Sequence, residues 1–280
     1  MARPPTPQGG RRVDLHVHTY FSDGALSPED VIEAAKSRGL AGLAITDHDT
    51  LEGVARARAA AGSTLEVVPG VEISSAIAGL EIHVLGYFVD SEQPQLRERL
   101  GAFRSERIER ARTMIERLAE LDVRIDADQV FGNAGPGVVG RPHVARALLD
   151  GGHVDSIEEA FRRYLGRSGP AYVARPAFRP DEAIALIHKA GGVSVLAHPG
   201  EIAEPLVADM VGAGLHGIEV WHPRHGWSAL RYVRRLADKF GLVETGGSDF
   251  HGGERATRIG DVSVPVGVLG RLKELAGVAG

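Results

Sequence analysis

The sequence predicts an α/β protein in which a parallel sheet or barrel is interrupted by a wholly helical stretch. Three observations lead there. Short apolar runs alternate with amphipathic helical patterns over residues 13–93 and again over 174–280, the rhythm of successive βα units. Over residues 94–173 the apolar spacing becomes helical and no run of convincing strand length occurs. Histidines and carboxylates gather at the ends of the strand-like runs, in DLHVHTYFSDG (14–24), TDHD (46–49), GVEIS (70–74), HVLGY (83–87), AHPG (197–200) and SDFH (248–251).

Taken in order, residues 1–12 (MARPPTPQGGRR) are too polar and proline-rich for a signal peptide and read as a disordered lead-in. Val13–Val17 is a strand carrying His16 and leading into His18. Ser27 caps a helix that has Pro28 in its first turn and acids at its positive end, and Gly39 stops it. Leu40–Thr46 is a buried strand delivering Asp47 and His48. A helix over Leu51–Ala61, a strand over Leu65–Pro69 leading into GVEIS, and a strand over Leu80–Phe88 follow.

Leu96–Leu121 reads as one long charged helix, with Glu and Arg at three- and four-residue spacings. The glycine-rich FGNAGPGVVG and helical patterns at Pro142–Asp150 and Ile157–Leu165 complete the insertion. The α/β rhythm resumes with a helix from Pro180 and strands Val193–Ala197, ending at His198, and Gly217–Trp221, ending at His222. A helix over Trp227–Phe240 and a strand over Leu242–Thr245 lead directly into SDFH.

Composition narrows the chemistry. A 280-residue chain with 43% hydrophobic and 25% charged residues is ordinary for a globular protein. The formal charge of −5 leaves no overall nucleic-acid footprint, so phosphate binding falls to local basic groups or metal. Zero cysteines exclude disulfides, thiolate zinc sites and cysteine nucleophiles, and fit a cytoplasmic protein. No apolar run reaches the length of a membrane span.

His16 and His18, two apart on a strand, point to one face and can hold an ion jointly. Each remaining candidate has a second reading when taken singly. Asp23 is also a turn aspartate, and Asp47 and Asp49 either orient His48 or face solvent. Glu72 is a metal-bridging carboxylate or half of a buried ion pair. His83 is flanked by Ile82 and Val84, like a satisfied core histidine. His198 precedes Pro199, and Asp249 and His251 repeat the spacing of His16 and His18. Nine such donors at strand ends are poorly explained as independent accidents, and the carboxyl face of a β/α barrel is where chemistry belongs.

As an ordered set these segments resemble the successive signatures of the PHP (polymerase and histidinol phosphatase) family. The HTxxSDG form and the helical insertion resemble its stand-alone bacterial phosphoesterases, among them a nucleoside 3′,5′-bisphosphate phosphatase and 5′–3′ exoribonucleases. The resemblance implies a distorted (β/α)7 barrel with a helical insertion subdomain, the insertion (94–173) acting as a substrate cap. It implies three divalent ions. His16, His18, Glu72 and Asp249 would hold one, and Asp23, His48 and His251 a second. Glu72 would bridge to a third on His83 and His198. Sulfur-free N/O donors suit Mn²⁺, Fe or Zn²⁺, and the resemblance favours Mn²⁺. The expected activity is phosphate-ester hydrolysis by a metal-bound hydroxide, on a nucleoside bisphosphate such as pAp, on AMP, or at the 5′ end of short RNA.

Candidate substrate contacts are Arg141 and His143 at a helix start, Arg167 in LGRSGPAYV, and His222 and Arg224 beyond strand Gly217–Trp221, with His225 nearby and Arg175 a weaker choice. Arg141 and His222 are also candidate catalytic groups. His153, His188 and His216 read as structural or exposed. Histidinol-phosphate phosphatase is an alternative, disfavoured because Asp23 stands where such members often carry histidine. A non-catalytic PHP accessory module is another, disfavoured by the full donor set and the absence of an attached polymerase. An amidohydrolase-like barrel, whose sites usually centre on a carboxylated lysine or a different histidine order, is disfavoured because no lysine of this chain lies at a convincing strand end. No stable protein partner and no membrane association are implied.

Overall fold

The computed structural model describes residues 10–253 and 257–278. Its strands are β1 (Arg12–Val17), β2 (Gly42–Ile45), β3 (Glu66–Ile77), β4 (Leu80–Tyr87), β5 (Val193–Leu196), β6 (Gly217–Trp221), β7 (Val243–Gly246) and the short β8 (Val264–Pro265). They form one sheet in the order β7-β6-β5-β4-β3-β2-β1-β8. The segment after β7 bends back onto β1, where the His18 amide donates to the Phe250 carbonyl at 3.0 Å and Val17 bridges Phe250 in parallel. The sheet is therefore an almost closed, distorted barrel. Most of the expected lead-in lies outside the described residues, and Arg12 already belongs to β1.

One strand departs from the parallel rhythm. β4 is antiparallel to both β3 and β5, with Ile77 opposite Leu80 across a two-residue turn. Parallel neighbours need a long crossover, so a link this short forces a hairpin. Its central residues Ala78 and Gly79 have φ of 48° and 73°, the paired left-handed geometry that matches strand twist. Ala-Gly is a weaker hairpin signal than Asn-Gly. β3 also runs through Gly70 as one strand, where the sequence reads a strand followed by a separate segment.

Helices α1 (Pro28–Ser37) and α2 (Glu52–Ala61) cover one flank, and α7 (Pro180–Lys189), α8 (Glu204–Gly212) and α9 (Trp227–Phe240) the other. α1 begins as its sequence dictates, with the Ser27 side chain accepting from the Asp30 amide. A final helix α10 (Val266–Ala276) packs Leu269 and Leu272 against the barrel residues Leu85, Tyr87 and Val195. α8, α10 and β8 have no counterpart in the sequence reading.

Between β4 and β5 the described chain is helical: α3 (Pro94–Glu120), α4 (Ala127–Ala134), α5 (Arg141–Asp150), α6 (Ile157–Ala160) and a π-helical turn over Phe161–Leu165. These elements bury a core of their own, including Met114, Leu118, Val144, Leu148 and Leu165. No helix among the described residues is long and apolar enough to cross a membrane.

A buried ion cluster ties this helical layer to the barrel. Asp49 Oδ2, with no exposed surface, accepts from Arg107 Nε and Nη2 at 2.8 and 2.6 Å and from Arg175 Nη1 at 3.1 Å. Burial alone would raise the Asp49 carboxyl, but Arg107 and Arg175 hold it well below the usual carboxylate range. Removing one partner of such a cluster leaves uncompensated buried charge. Asp49→Asn is expected to destabilise the protein by about 3–5 kcal/mol, read from denaturant midpoints with and without the change.

Candidate active site

Seven of the nine predicted donors reach the barrel mouth because they follow, or lie near the end of, strands with a parallel neighbour. Glu72 reaches it from the middle of the long β3. His83 reaches it because β4 runs backwards, which brings the early part of that strand to the same end as the carboxyl termini of its neighbours. His83 pairs with Ser74, two residues beyond Glu72 on β3.

Glu72, fully buried, is the hub. Its Oε2 lies 3.3, 3.2 and 3.0 Å from His16 Nε2, His18 Nε2 and His48 Nδ1. Its Oε1 lies 2.8 Å from His83 Nδ1 and 2.9 Å from His198 Nε2. Asp249 Oδ1 stands 3.5 and 3.4 Å from His16 Nε2 and His18 Nε2. Asp23 Oδ1 is 3.1 Å from His251 Nε2 and 3.9 Å from His48 Nε2.

These spacings fit divalent metal. Donors bonded at about 2.1 Å to one ion sit roughly 3.0–3.4 Å from each other. The two imidazole nitrogens His16 Nε2 and His18 Nε2 face each other at 3.1 Å, and a shared cation relieves the opposition of their lone pairs. Glu72 Oε2 is buried and in hydrogen-bond geometry with none of its neighbours, as expected of an atom shaped to meet an ion. Three groups of donors converge closely enough to hold one: His18, Asp23, His48 and His251; His16, His18 and Glu72; and His48, Glu72 and His83.

Groups behind the donors fix their directions. His16 Nδ1 lies 3.1 Å from Glu219 Oε1, and Glu219 Oε2 accepts the His198 amide at 2.8 Å. Asp14 accepts the amides of Ser248 and Gly260 at 2.8 and 2.7 Å, joining β1 to the SDFH segment. A Cβ on Gly247 would meet the His16 backbone nitrogen at 2.4 Å, so only glycine permits that approach. Asp47 accepts from the Thr19 amide and from the hydroxyls of Thr19 and Ser22, each at 2.7 Å. Asp49, His198 and Asp249 have φ of 53°, 28° and 48°, left-handed values that non-glycine residues hold only under constraint.

Burial opposes charge throughout, and the neighbours decide the outcome. It would raise Glu72, but the imidazoles of His48, His83 and His16 hold the carboxyl well below its usual range. It disfavours protonated His18, yet contacts with Asp249 and Glu72 push that imidazole up to about 9. It dominates at His48, bringing it down to about 4 against the pull of Glu72 and Asp23.

The cleft over the donors is lined on its far side by Arg107, Arg110, Arg141 and Arg175. Arg110 Nη2 reaches Glu81 Oε1 at 3.3 Å and Arg141 pairs with the other oxygen of Glu81. His222 Nε2 is 3.2 Å from Asp249 Oδ2, while its Nδ1 accepts the Arg224 amide at 3.2 Å. That bond assigns the ring proton to Nε2. The Arg224 guanidinium lines the cleft, largely exposed, 3.9 Å from Asp249. His143 Nδ1 accepts the Gly140 amide at 3.0 Å and closes the start of α5. Arg167 is exposed outside the cleft lining, with its guanidinium near Gly79.

The motifs do not single out Glu219, Arg107 or Arg110 as site residues, though each leaves a signal in the sequence. Glu219 is the lone carboxylate in an apolar strand. Arg107 and Arg110 fall in the same helical stripe as the buried Phe103, Ala111, Met114 and Leu118, where an arginine must find a partner inside.

The PHP domain model matches residues 14–169, more than half of the chain. The chain belongs to the PHP family. A 3′,5′-nucleoside bisphosphate phosphatase of Chromobacterium violaceum is 37% identical over 247 residues, 85% of this chain and 87% of that protein. A 5′–3′ exoribonuclease of Escherichia coli is 35% identical over 247 residues, 85% and 84% of the two chains. A solved structure from Bifidobacterium adolescentis, described as a metal-dependent phosphoesterase, superposes with a TM-score of 0.90 at 29% identity, covering 95% of this chain and 97% of its own. This PHP protein is a phosphoric ester hydrolase whose clustered donors could bind metal.

Two outcomes test the site. Ligating histidines must be neutral, and neighbouring carboxylates raise His16, His18 and His198, so metal uptake at pH 7.5 is expected to displace protons from these imidazoles. Titration calorimetry in buffers of different ionisation enthalpy measures their release, and uptake should weaken as pH falls. Glu219→Gln is expected to reduce metal affinity about 10- to 100-fold while leaving every donor in place, read by competition with a chromogenic chelator.

Proposed function

We propose that this enzyme hydrolyses phosphate esters of small nucleotides, a nucleoside 3′,5′-bisphosphate or the 5′ end of short RNA. In this reading the nine donors hold three divalent ions, Mn²⁺ favoured, with Glu72 bridging. One observation carries it: the donor cluster faces four arginines across a single cleft, so one phosphate can meet the ions while a second meets guanidinium groups. Bound divalent ions would supply an activated water and neutralise the phosphoryl oxygens.

The chain's own groups do the rest. Arg141 and Arg110 share one carboxylate, and Arg107 and Arg175 share another, so four guanidinium groups face two acids. The surplus suits a phosphate dianion held by paired N–H donors. Residues 94–173 act as a cap, because Arg107, Arg110 and Arg141 all come from that segment. His222, whose imidazole burial lowers from its ordinary pKa, is neutral at pH 7. Its Nε2 proton faces Asp249 Oδ2 at 3.2 Å, and this contact orients that carboxylate toward the donor cluster. The similarity to a bisphosphate phosphatase and an exoribonuclease supports this substrate class over histidinol phosphate.

The test is product release from pAp, AMP, histidinol phosphate and a short 5′-phosphorylated RNA under one Mn²⁺ condition. The nucleotides should be turned over and histidinol phosphate should not. Arg141→Ala should raise KM for the bisphosphate by about 10-fold or more, the worth of a charge-assisted hydrogen bond, and change it little for AMP. Equal effects on both would refute the two-phosphate arrangement.

A further inference from the structure

We propose that the outer face of α9 is a track for single-stranded RNA leaving the cleft, with Trp227 stacking a base and Arg231 and Arg235 holding phosphates. The proposal rests on the nucleotide reading above and adds a second binding surface to it.

Trp227 is 51% exposed, the one aromatic side chain among the exposed large hydrophobics of the described residues. It opens α9, on the rim of the barrel mouth, and lines a surface groove with Arg231, Arg234, Arg235, Glu201 and Asp238. Arg234 is engaged by Glu244 at 3.0 Å. Arg231 and Arg235 have no carboxylate partner among the described residues, and Arg235 lies over the Tyr232 ring at 5.6 Å. Positions 227, 231 and 234/235 follow one helical face, a stripe on the order of 12 Å long at the helical rise per residue. Glu201 and Asp238 share the groove but neither pairs with Arg231 or Arg235, so both guanidinium groups stay free to meet a phosphate beside the exposed indole. Stacking surface plus cations is the combination that recognises single strands without regard to sequence.

The groove and the cleft have separate linings that come close together along the chain. Arg224, three residues before Trp227, lines the cleft. Between the two, His225 Nε2 accepts the Gly200 amide at 3.2 Å and its Nδ1 lies 2.8 Å from the Val220 carbonyl oxygen. Tyr232 donates to the Ile202 carbonyl at 2.7 Å. These bonds pin the loop after β5 to the start of α9, and so fix the segment that lies between Arg224 and Trp227. A mononucleotide held in the cleft would not reach Trp227, whereas nucleotides joined downstream of it would.

The experiment compares Trp227→Ala and Arg231→Ala with the wild type, all loaded with Mn²⁺, on pAp and on a short 5′-phosphorylated oligoribonucleotide. Both substitutions leave the buried face of α9 intact, and thermal midpoints check the fold. For Trp227→Ala, KM for the oligonucleotide should rise about 5- to 100-fold, the loss of one stacked base, with pAp turnover unchanged and Trp227→Phe retaining most of the affinity. For Arg231→Ala, the salt dependence of oligonucleotide binding should flatten by about 0.7 in log–log slope. Unchanged oligonucleotide KM in the variants, or equal losses on both substrates, would overturn the track. If the wild type hydrolyses neither substrate, the nucleotide reading fails separately. The surface is then judged by fluorescence anisotropy of the labelled oligonucleotide, where binding that ignores Trp227→Ala overturns it.

Discussion

Glu72 sits with no exposed surface among five imidazole nitrogens, three around one oxygen and two around the other. A lone buried carboxylate is costly enough that it would ordinarily take up a proton. Here the surrounding imidazoles keep it ionised, and the strands that carry them are held to the positions this requires. Glu219 and Asp14 anchor β1 and the loops after β5 and β7. The same geometry gives the carboxylate two independently directed oxygens, which is what a bridge between ions needs. Barrel closure, the left-handed backbone at His198 and Asp249, and the glycine contact at Gly247 all follow from keeping those directions.

The reversal of β4 shows how the fold answers to the site. In a purely parallel barrel, a donor near the start of a strand lies at the wrong end. The Ala78-Gly79 hairpin turns β4 over and places His83 beside Glu72 and across from His198. The sequence carries the histidine plainly but not the direction of its strand, since alternation of apolar residues is the same in either sense. Direction is set by loop length, and the loop here is hidden in a run that reads as two separate strands. The terminal elements escaped for a related reason: β8 is only two residues long, too short for any periodic pattern.

The donors themselves were legible because each is a polar residue at the end of an apolar run, where nothing but chemistry or an ion pair explains it. Arg107 and Arg110 of the arginine wall were not, because a helix as charged as α3 offers many arginines and only three-dimensional packing separates the buried from the solvated. Arg107 and Arg110 differ from Arg104 and Arg112 by their place on the apolar stripe, a distinction of one helical face. Arg141 was legible from its position at the start of a helix after a glycine-rich loop. Its partner Glu81 was not, since it comes from the hairpin of β3 and β4.

That partner bears on specificity. An arginine already paired with a carboxylate binds a phosphate only by exchange, giving up one ionic contact for another, so the gain is smaller than for a free guanidinium. Two arginines sharing Glu81 soften this, because one can turn to the ligand while the other keeps the acid satisfied. On the proposed two-phosphate reading, a ligand whose single phosphate met the ions would never ask for the exchange. A ligand with two phosphates would, and it must bring enough charge, correctly placed, to complete it. In that reading the shared carboxylate would make the far wall of the cleft selective for a second anionic group and leave a neutral one without a reason to bind there.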